Sequence, residues 1–309
     1  MGRKYSLAMW LALALTGMVA TNQAQAATCG SRTCIHVGAF NIKLLGNQGP
    51  ADTPAEYRKI GDLLANTMDL DVFSLEEINT ASSQWAALKI ELQRRGYAVA
   101  FESAFGGERD QYIVLVYRSA TVQLIGPAPL DLPFPTSHAE PGNDCNYPNI
   151  RPPVAARFRS GSFDFALIGV HLKSQLPVGS DQRCDDRIRA QQAKKITEYV
   201  VGLAGQERDV IIVGDFNATF SSTENDAFRN AQMMSAMEDL SQGSGTISYV
   251  GNPRGMIDHI VFPASTQNYV RGSGRAFPLQ TPTARRSYLR QISDHVPIRA
   301  AFYTDSAGD

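Results

Sequence analysis

The sequence lacks several features that would assign it to a common functional class. Its 29 Lys and Arg residues are balanced by 30 Asp and Glu residues, so the basic excess of a dedicated DNA-binding protein is absent. A local basic groove can still exist within such a neutral total. The 4 cysteines show no Cys-x-x-Cys spacing and the 5 histidines no His-Glu-x-x-His motif, which excludes the usual zinc signatures.

The chain also lacks internal repeats, low-complexity tracts and any Pro/Gly-rich linker that would separate two halves. Apolar runs typical of strands alternate with amphipathic helical patterns along its whole length. We therefore predict one α/β domain that covers residues 27–309.

No apolar run near the start is long enough for a comfortable membrane span, since the run Leu7–Ala20 covers only a short stretch. Two basic residues precede it and an Ala-Gln-Ala sequence ending at Ala26 follows it, which is typical of a secretory signal peptide. We predict that residues 1–26 are cleaved off. The mature protein is then exported to the periplasm or the medium without a stable membrane anchor.

Four cysteines in an exported protein favour two disulfide bonds, and four cysteines allow three pairings. The most local pairing is Cys29–Cys34 with Cys145–Cys184, and we favour it. The second bond would fasten residues 127–153, a stretch rich in Pro, Asn and Gly that is predicted to be a long surface loop.

Hydrophobic periodicity gives a coarse map of the elements. Thr53 is predicted to cap the first helix, with Pro54 at its first position and Glu56 completing a capping box. Further helices are predicted at 82–95, 185–203 and 224–237. Strands are predicted at 35–42, 71–75, 97–101, 112–117, 121–125, 163–170, 210–213, 256–262 and 296–303.

Polar residues recur at the ends of these predicted strands. The clearest case is the apolar run 210–213, which is followed by Gly214, Asp215 and Asn217. Each such residue alone can be explained as a turn, a cap or a satisfied core residue. Their repeated position favours a ligand site, because strand-end loops on a rigid sheet carry the sites of α/β proteins. The residues concerned are Asn41, Glu77, His171, Asp215, Asn217, Asp258, Asp294 and His295.

This inventory suits metal-assisted cleavage of a phosphodiester. Carboxylate and amide oxygens are the ligands of hard divalent cations, which stabilise charge on a phosphate and on its leaving oxygen. Histidines held by carboxylates can orient or protonate phosphate oxygens, and a further carboxylate can activate water.

Short motifs that occur in a fixed order resemble the endonuclease/exonuclease/phosphatase superfamily, and within it the pancreatic deoxyribonuclease type. The resemblance implies a four-layer α/β sandwich in which two packed β-sheets are flanked by helices. The motifs are Ala39-Phe-Asn-Ile-Lys43, Leu75-Glu-Glu-Ile78, Gly169-Val-His-Leu-Lys-Ser174, Val213-Gly-Asp-Phe-Asn-Ala218, Ile257-Asp-His-Ile260 and Ser293-Asp-His-Val-Pro297.

The resemblance also implies a role for each matching residue. Asn41, Glu77 and Asp294 would bind Mg²⁺, with Mn²⁺ or Ca²⁺ as alternatives. His171 and His295 would be the catalytic histidines, the second supported by Asp258 and the first by Asp110, with Glu108 close enough to compete. The residues implied to position the attacking water and the phosphate are Asp215, Asn217 and Arg151.

These observations predict a secreted, metal-dependent endonuclease that hydrolyses DNA, with RNA also open, and with little sequence specificity. Asn79 stands where deoxyribonucleases often carry a minor-groove Arg, which weakens the expectation of a preference for duplex DNA. A phosphoesterase of the same superfamily, acting on phospholipid or inositol phosphate, is the alternative. A catalytically inactive scaffold is a third reading, and no protein partner is predicted.

Overall fold

The computed structural model describes residues 27–135, 137–139, 145–147, 149–175, 182–203, 207–238 and 247–305. The predicted signal peptide lies outside these residues. The helices are α1 (Pro54–Asp62), α2 (Ser83–Gln93), α3 (Gln182–Leu203), α4 (Asp226–Asn230) and α5 (Pro282–Gln291). The strands are β1 (Ala27–Cys29), β2 (Arg32–Leu45), β3 (Val72–Ile78), β4 (Tyr97–Glu102), β5 (Tyr112–Arg118), β6 (Gln123–Asp131), β7 (His138–Ala139), β8 (Asn146–Tyr147), β9 (Val154–Ser160), β10 (Phe163–His171), β11 (Val210–Asp215), β12 (Met233–Ser235), β13 (Asp258–Pro263), β14 (Arg275–Ala276) and β15 (Ile298–Tyr303).

The first sheet is built around the parallel pair β2 and β3, which α1 and the π-helical turn Leu63–Thr67 connect. Its strand order is β14-β15-β2-β3-β5-β4, and β1 pairs with β2. Side chains alternate along β2, so that Ile35 and Val37 face the second sheet whereas Phe40 packs against the helices. Both faces of the strand are therefore buried.

The second sheet repeats this arrangement with the parallel pair β10 and β11, connected by α3. Its strand order is β12-β13-β11-β10-β9-β6. Ile211 and Val213 face the first sheet, and Ile212 packs under the helices. The run 210–213 is continuously apolar because the strand is covered on both sides.

Three apolar layers hold these elements together. One lies between the two sheets, one packs α1, α2 and α5 on the first sheet, and one packs α3 and α4 on the second. The result is the four-layer sandwich expected from the sequence. In the part of the chain that the structure describes, no helix is both long enough and apolar enough to cross a membrane.

The prediction of a helix over 224–237 is wrong. Only the five-residue helix α4 forms there, after a 3₁₀ turn at Thr223–Asn225, and Gln232 then takes a left-handed backbone with φ +57°. The next residues form β12, which pairs with β13. Extending the sheet satisfies backbone groups and buries Met233, so the tertiary pairing overrides the helical pattern.

Other differences lie at β6, β9 and α5. Strand β6 continues to Asp131, so the first residues of the predicted loop 127–153 belong to the sheet. The sequence analysis did not identify β9 or α5. At α1, Thr53 is the N-cap and Pro54 the first residue, but the Thr53 side chain accepts no hydrogen bond and Glu56 contacts Lys59 at 3.4 Å. The capping box is therefore not formed.

Both favoured disulfides are present, Cys29–Cys34 and Cys145–Cys184. The second joins residues separated by 39 positions and packs with Ile150 and Ile188 in a small apolar cluster. It fastens the segment before β9 to the start of α3.

Replacing Cys145 and Cys184 with Ala is expected to lower the free energy of unfolding by about 4 kcal/mol, because the bond restricts a long loop in the unfolded chain. The same change at Cys29 and Cys34, which are 5 positions apart, is the matched control, and the same relation gives about 2 kcal/mol. Urea unfolding of the two variants measures both values. Equal losses would contradict the loop-length argument.

Candidate active site

Several site residues lie on the strand faces that pack between the two sheets. Because side chains alternate along β11, the residue two positions after Val213, Asp215, also faces between the sheets. Asp215 is the last residue of β11 and lies where the hydrophobic core between the sheets ends. The same alternation places three further residues at this edge: Asn41 in β2, His171 in β10 and Asp258 in β13.

Glu77 reaches the site through a break in β3. Simple alternation would turn its side chain towards the helices, but its backbone is left-handed, with φ +62°, and the pairing with β5 shifts register between Leu75 and Ile78. A bulge of this kind re-aims a side chain. Glu77 Oε1 thereby accepts from Asn41 Nδ2 at 3.1 Å, and Oε2 accepts from the Leu44 amide at 3.1 Å.

Two further backbone features bring β10 and β11 into place. A Cβ on Gly214, whose φ is +137°, would lie 2.0 Å from the Val170 carbonyl oxygen, so the close approach requires glycine. Asn217 is left-handed with φ +52°. Its amide donates to Asp215 Oδ1 at 2.8 Å, and its Nδ2 donates to the Leu172 carbonyl at 3.1 Å.

Asp215 is the centre of the buried cluster. Its Oδ2 accepts from Asn41 Nδ2 at 3.0 Å and lies 3.7 Å from His171 Nε2 and 3.6 Å from His295 Nε2. Burial raises the pKa of Asp215 to about 7, with His295 opposing the rise and Asp258 adding to it. A carboxylate with this pKa can accept a proton near neutral pH.

His295 is paired with Asp258, as expected: its Nδ1 lies 2.8 Å from Asp258 Oδ2. Burial alone would lower the pKa of His295, but the charges of Asp258 and Asp215 outweigh it and raise the pKa to about 10. The imidazole is therefore protonated at neutral pH, and its Nε2–H points towards Asp215. This arrangement suits a proton donor.

Two buried serines fix the segments that carry this pair. Ser248 Oγ accepts from the Asp258 amide at 3.0 Å. Ser293 Oγ accepts from the His295 amide at 3.1 Å and donates to the Asn41 carbonyl at 2.7 Å. The loop before β15 is thereby tied to β2. The sequence analysis quoted Ser293 within a motif but gave neither serine this role.

His171 differs from His295 in its charge. Its ring is buried, and burial together with the charge of Arg151 lowers its pKa well below the usual range. Its Nδ1 has no hydrogen-bond partner among the described residues. The structure does not bring Asp110 to this ring, because Asp110 is exposed with φ +49° and contacts Asn47 only through its carbonyl, at 3.5 Å.

The neighbouring residue, Gln111, enters the site instead. Gln111 Nε2 donates to Glu77 Oε2 at 2.8 Å, and its Oε1 accepts from Arg151 Nη1 at 2.7 Å. Arg151 is buried and also lies 3.4 Å from the carbonyls of His171 and Leu172. Gln111 therefore links Arg151 to Glu77, a role that the sequence analysis did not assign to it.

Asp294 lies on the other side of His295. Its Oδ2 pairs with Lys43 Nζ at 2.5 Å. Tyr249 packs against His295 with ring centroids 5.0 Å apart and ring planes inclined by 60°. Burial raises the pKa of its phenol, and the charges of Asp294 and Glu77 contribute to the rise. No sequence motif pointed to Tyr249.

Glu76 lies beneath the cluster. It is fully buried between the sheets, accepts a hydrogen bond from Ser74 Oγ, and leaves Oε2 without a partner among the described residues. Burial raises its pKa well above the usual range, which favours the protonated carboxyl. Adjacent glutamates thus have opposite environments, since Glu77 faces the site and Glu76 the core.

Two neighbouring groups at the site offer candidate ligands for a metal ion. Asp215, Asp258 and His295 place ligand atoms within 4.8 Å of one another. Beside them, Asn41 Oδ1 is buried without a partner and Glu77 presents its carboxylate. An unsatisfied amide oxygen next to carboxylates fits a hard divalent cation, which prefers oxygen ligands. The protonated His295 fits poorly as a ligand, because a metal requires the neutral ring.

A third buried histidine in this region, His259, is held away from the site residues by Ser235 and Ala218. Its Nδ1 lies 3.2 Å from Ser235 Oγ and its Nε2 3.1 Å from the Ala218 carbonyl. Burial lowers its pKa to about 4. Because this value is below the unfolded value of about 6.5, its contribution to stability is complete above pH ~6.5 and is lost as the pH falls to ~4.

We expect His259→Asn to reduce this acid sensitivity. The free energy of unfolding of the wild type should fall between pH 7 and pH 4 by about 3 kcal/mol more than that of the variant, from ~1.4 kcal/mol per pKa unit. Urea unfolding at both pH values measures the difference. Parallel losses in the two proteins would contradict it.

Comparison with known proteins identifies the family of this chain. The sequence profile of the Endonuclease/Exonuclease/phosphatase family matches residues 38–295. The chain belongs to this family. The matched range includes every predicted site residue, and the phosphoester hydrolases of this family generally depend on a divalent metal.

A curated relative is the Endonuclease/exonuclease/phosphatase family domain-containing protein 1 of Bos taurus, 25% identical over 173 residues. The match covers 54% of this chain and 30% of the relative, so the chain spans about a third of that protein's length.

Solved structures share the fold. The human Nocturnin catalytic domain with bound sulfate has a TM-score of 0.57 at 19% identity, with 87% of this chain and 94% of that chain covered. TDP2 of D. rerio complexed with a single-strand DNA product has a TM-score of 0.55 at 16% identity, with 88% of this chain and 99% of that chain covered. The mannosyl-6-phosphatase of Bacteroides thetaiotaomicron has a TM-score of 0.55 at 16% identity, with 86% of this chain and 98% of that chain covered. At these identities the likeness concerns the fold alone.

Proposed function

We propose that this protein is an exported, metal-dependent endonuclease that hydrolyses phosphodiester bonds of DNA, with little sequence specificity. The observation that carries the proposal is the juxtaposition of a charged His295–Asp258 pair with Asp215, next to the oxygen donors of Asn41 and Glu77. It provides a proton donor, a proton acceptor and a cation cradle within one cluster. Two disulfides support export, because such bonds persist in oxidising compartments.

In the proposed reaction, the oxygen of a water molecule attacks phosphorus and one phosphorus–oxygen ester bond breaks. Asp215, held by the Asn217 amide, orients the water and accepts its proton. His295 donates from Nε2 to the phosphate or to the departing oxygen, while Asp258 stabilises the imidazolium. Neutral His171 offers a hydrogen bond to a phosphate oxygen.

The residues proposed to hold Mg²⁺ are Asn41, Glu77 and Asp294, with Mn²⁺ or Ca²⁺ as alternatives. The bound ion would supply charge stabilisation at the phosphate and the leaving oxygen. Asn41 donates to Glu77 Oε1 through Nδ2, and its Oδ1 has no hydrogen-bond partner among the described residues, so this oxygen is available as a ligand. Gln111 and the Leu44 amide both donate to the other Glu77 oxygen, Oε2. Asp294 would need to share its Oδ2 with Lys43 or present Oδ1.

The experiment that tests the proposal is plasmid nicking by the oxidised mature chain, with Mg²⁺, with EDTA, and with His171→Ala. Metal-dependent nicking that His171→Ala abolishes is the expected result. TDP2, a protein of similar fold, was solved with a DNA product, which makes DNA the first substrate to test and RNA the second. Intact plasmid together with phosphate release from sugar phosphates or inositol phosphates, or with phosphocholine release from sphingomyelin, would replace the proposal with a phosphomonoesterase or a phospholipase.

A further inference from the structure

Helix α5 presents a basic face that the catalytic scheme does not use. Its sequence, Pro-Thr-Ala-Arg-Arg-Ser-Tyr-Leu-Arg-Gln, contains three arginines and no acidic residue. Tyr288 and Leu289 pack into the core with Ile292, so the apolar side of the helix is fully used. Arg286 and Arg290 lie on the exposed side. We name Arg285, Arg286 and Arg290 the α5 basic face.

Local structure does not account for these charges. Among the described residues, no carboxylate lies within 4.0 Å of the three guanidinium groups, and Arg286 contacts only Thr283 Oγ1, at 3.2 Å. Arg290 lies in the last turn, where the helix dipole stabilises a positive charge. Arg285 and Arg286 lie in the N-terminal half, where a cation gains nothing from the dipole. In a chain with one more acidic than basic residue, this is a local concentration of charge.

The position of the face relates it to the site. Arg290 precedes Asp294 by four residues, so their Cα atoms are at most ~14 Å apart. Arg286 and Arg290, four residues apart on one helix, share a side and are separated by ~6 Å along the axis. A single DNA strand carries one phosphate per ~3.4 Å of helix axis. Two arginines at this spacing match a short run of backbone beside a scissile phosphate.

A neighbouring helix, α1, contacts the end of α5 without adding net charge, since it carries two basic and two acidic residues. Lys59 of α1 donates to Gln291 at the end of α5, with Nζ 3.2 Å from Oε1. The exposed side chains of α5 other than the arginines are polar or small, and none of the large exposed hydrophobics of the described residues lies on α1 or α5. A membrane-bound helix would need an apolar face free for insertion. The chemistry therefore favours a nucleic-acid backbone over a lipid surface.

We propose that the α5 basic face binds the sugar–phosphate backbone of the nucleic acid on one side of the cleavage site. This inference rests on the proposed function, because it places the scissile phosphate at the Asp215 cluster. The contacts carry no base information, since they involve phosphates alone. They add affinity and orientation to a site whose own cations, Lys43 and Arg151, are largely occupied.

The test compares Arg286→Ala/Arg290→Ala with Lys194→Ala/Lys195→Ala, a matched removal of two exposed cations from α3. Each pair is made in a His295→Asn background, so that DNA remains intact. Fluorescence anisotropy with a 20-base-pair duplex gives Kd as a function of salt. The α5 variant should bind DNA at least ~10-fold more weakly at low salt. The negative slope of log K against log salt should become less steep by ~1.8, that is ~0.9 for each of the two lost phosphate contacts.

In the active background, the α5 change should raise KM for long DNA and leave the hydrolysis of bis(4-nitrophenyl) phosphate unchanged. Equal binding by the α5 and α3 variants would overturn the proposal. So would a larger effect on anionic vesicles than on DNA, which would reassign the face to lipid. Salt-dependent binding that needs α5, in a protein that nicks no plasmid, would retain the surface and reject the hydrolytic function.

Discussion

Replacing His295 with Asn is expected to lower kcat for DNA hydrolysis by about 10²–10⁴-fold, the usual contribution of a positioned acid or base. The His295 ring lies 2.8 Å from Asp258 through Nδ1 and 3.6 Å from Asp215 through Nε2, and the charges of these two carboxylates keep it protonated. Asparagine preserves a hydrogen-bonding group near Asp258 but cannot deliver a proton. Steady-state kinetics on a defined oligonucleotide measures the loss.

Two companion variants make the result specific. Asp258→Asn removes the charge that raises the pKa of His295, so kcat should fall and its alkaline limb should move to lower pH. The double variant should lose little more than His295→Asn alone, because the pair acts as one unit. His36→Asn, five residues before Asn41 in β2, serves as the control. Full activity of His295→Asn in a folded protein would reject the proposed proton donor.

Strand alternation explains how much of this site was predictable. Apolar residues alternate inward along β11, and the same period continues to Asp215, so the run 210–213 already indicated where the carboxylate would face. The identical rule places His171 and Asp258. The pattern of strands and helices by itself predicted one α/β domain, and the family resemblance implied the four-layer sandwich.

Alternation fails where the backbone departs from the strand. Glu77 reaches the site only because of its left-handed φ and the bulge in β3. Its place after a predicted strand marked it as a candidate, but no local pattern predicted the bulge that turns its side chain into the site. The family resemblance also implied a role for Asp110, whereas in the structure Gln111 contacts Glu77 at the site. Over residues 224–237 the helical pattern is overridden because β12 pairs with β13 at the edge of the sheet, a contact between residues far apart in the chain.

The largest expected effect on cofactor binding is that of Glu77→Gln. Glu77 faces the cluster beside the unsatisfied Asn41 oxygen, and an amide in its place removes the negative charge that a hard divalent cation requires. We expect the affinity for Mg²⁺ or Mn²⁺ to fall by at least ~100-fold, above the 10–100-fold typical of groups that only support a ligand. Calorimetric titration with Mn²⁺ measures it without reference to any substrate.

The adjacent residue supplies the control. Glu76→Gln is the same chemical change one position earlier, but its carboxyl is buried between the sheets, where burial raises its pKa well above the usual range. Glutamine has nearly the same shape and no charge, so the metal affinity should not change. If both variants bind Mn²⁺ like the wild type, the ion is not held by Glu77, and Asp215 and Asp258 become the residues to test. If both lose it, the loss reflects a disturbed β3 and not a missing ligand.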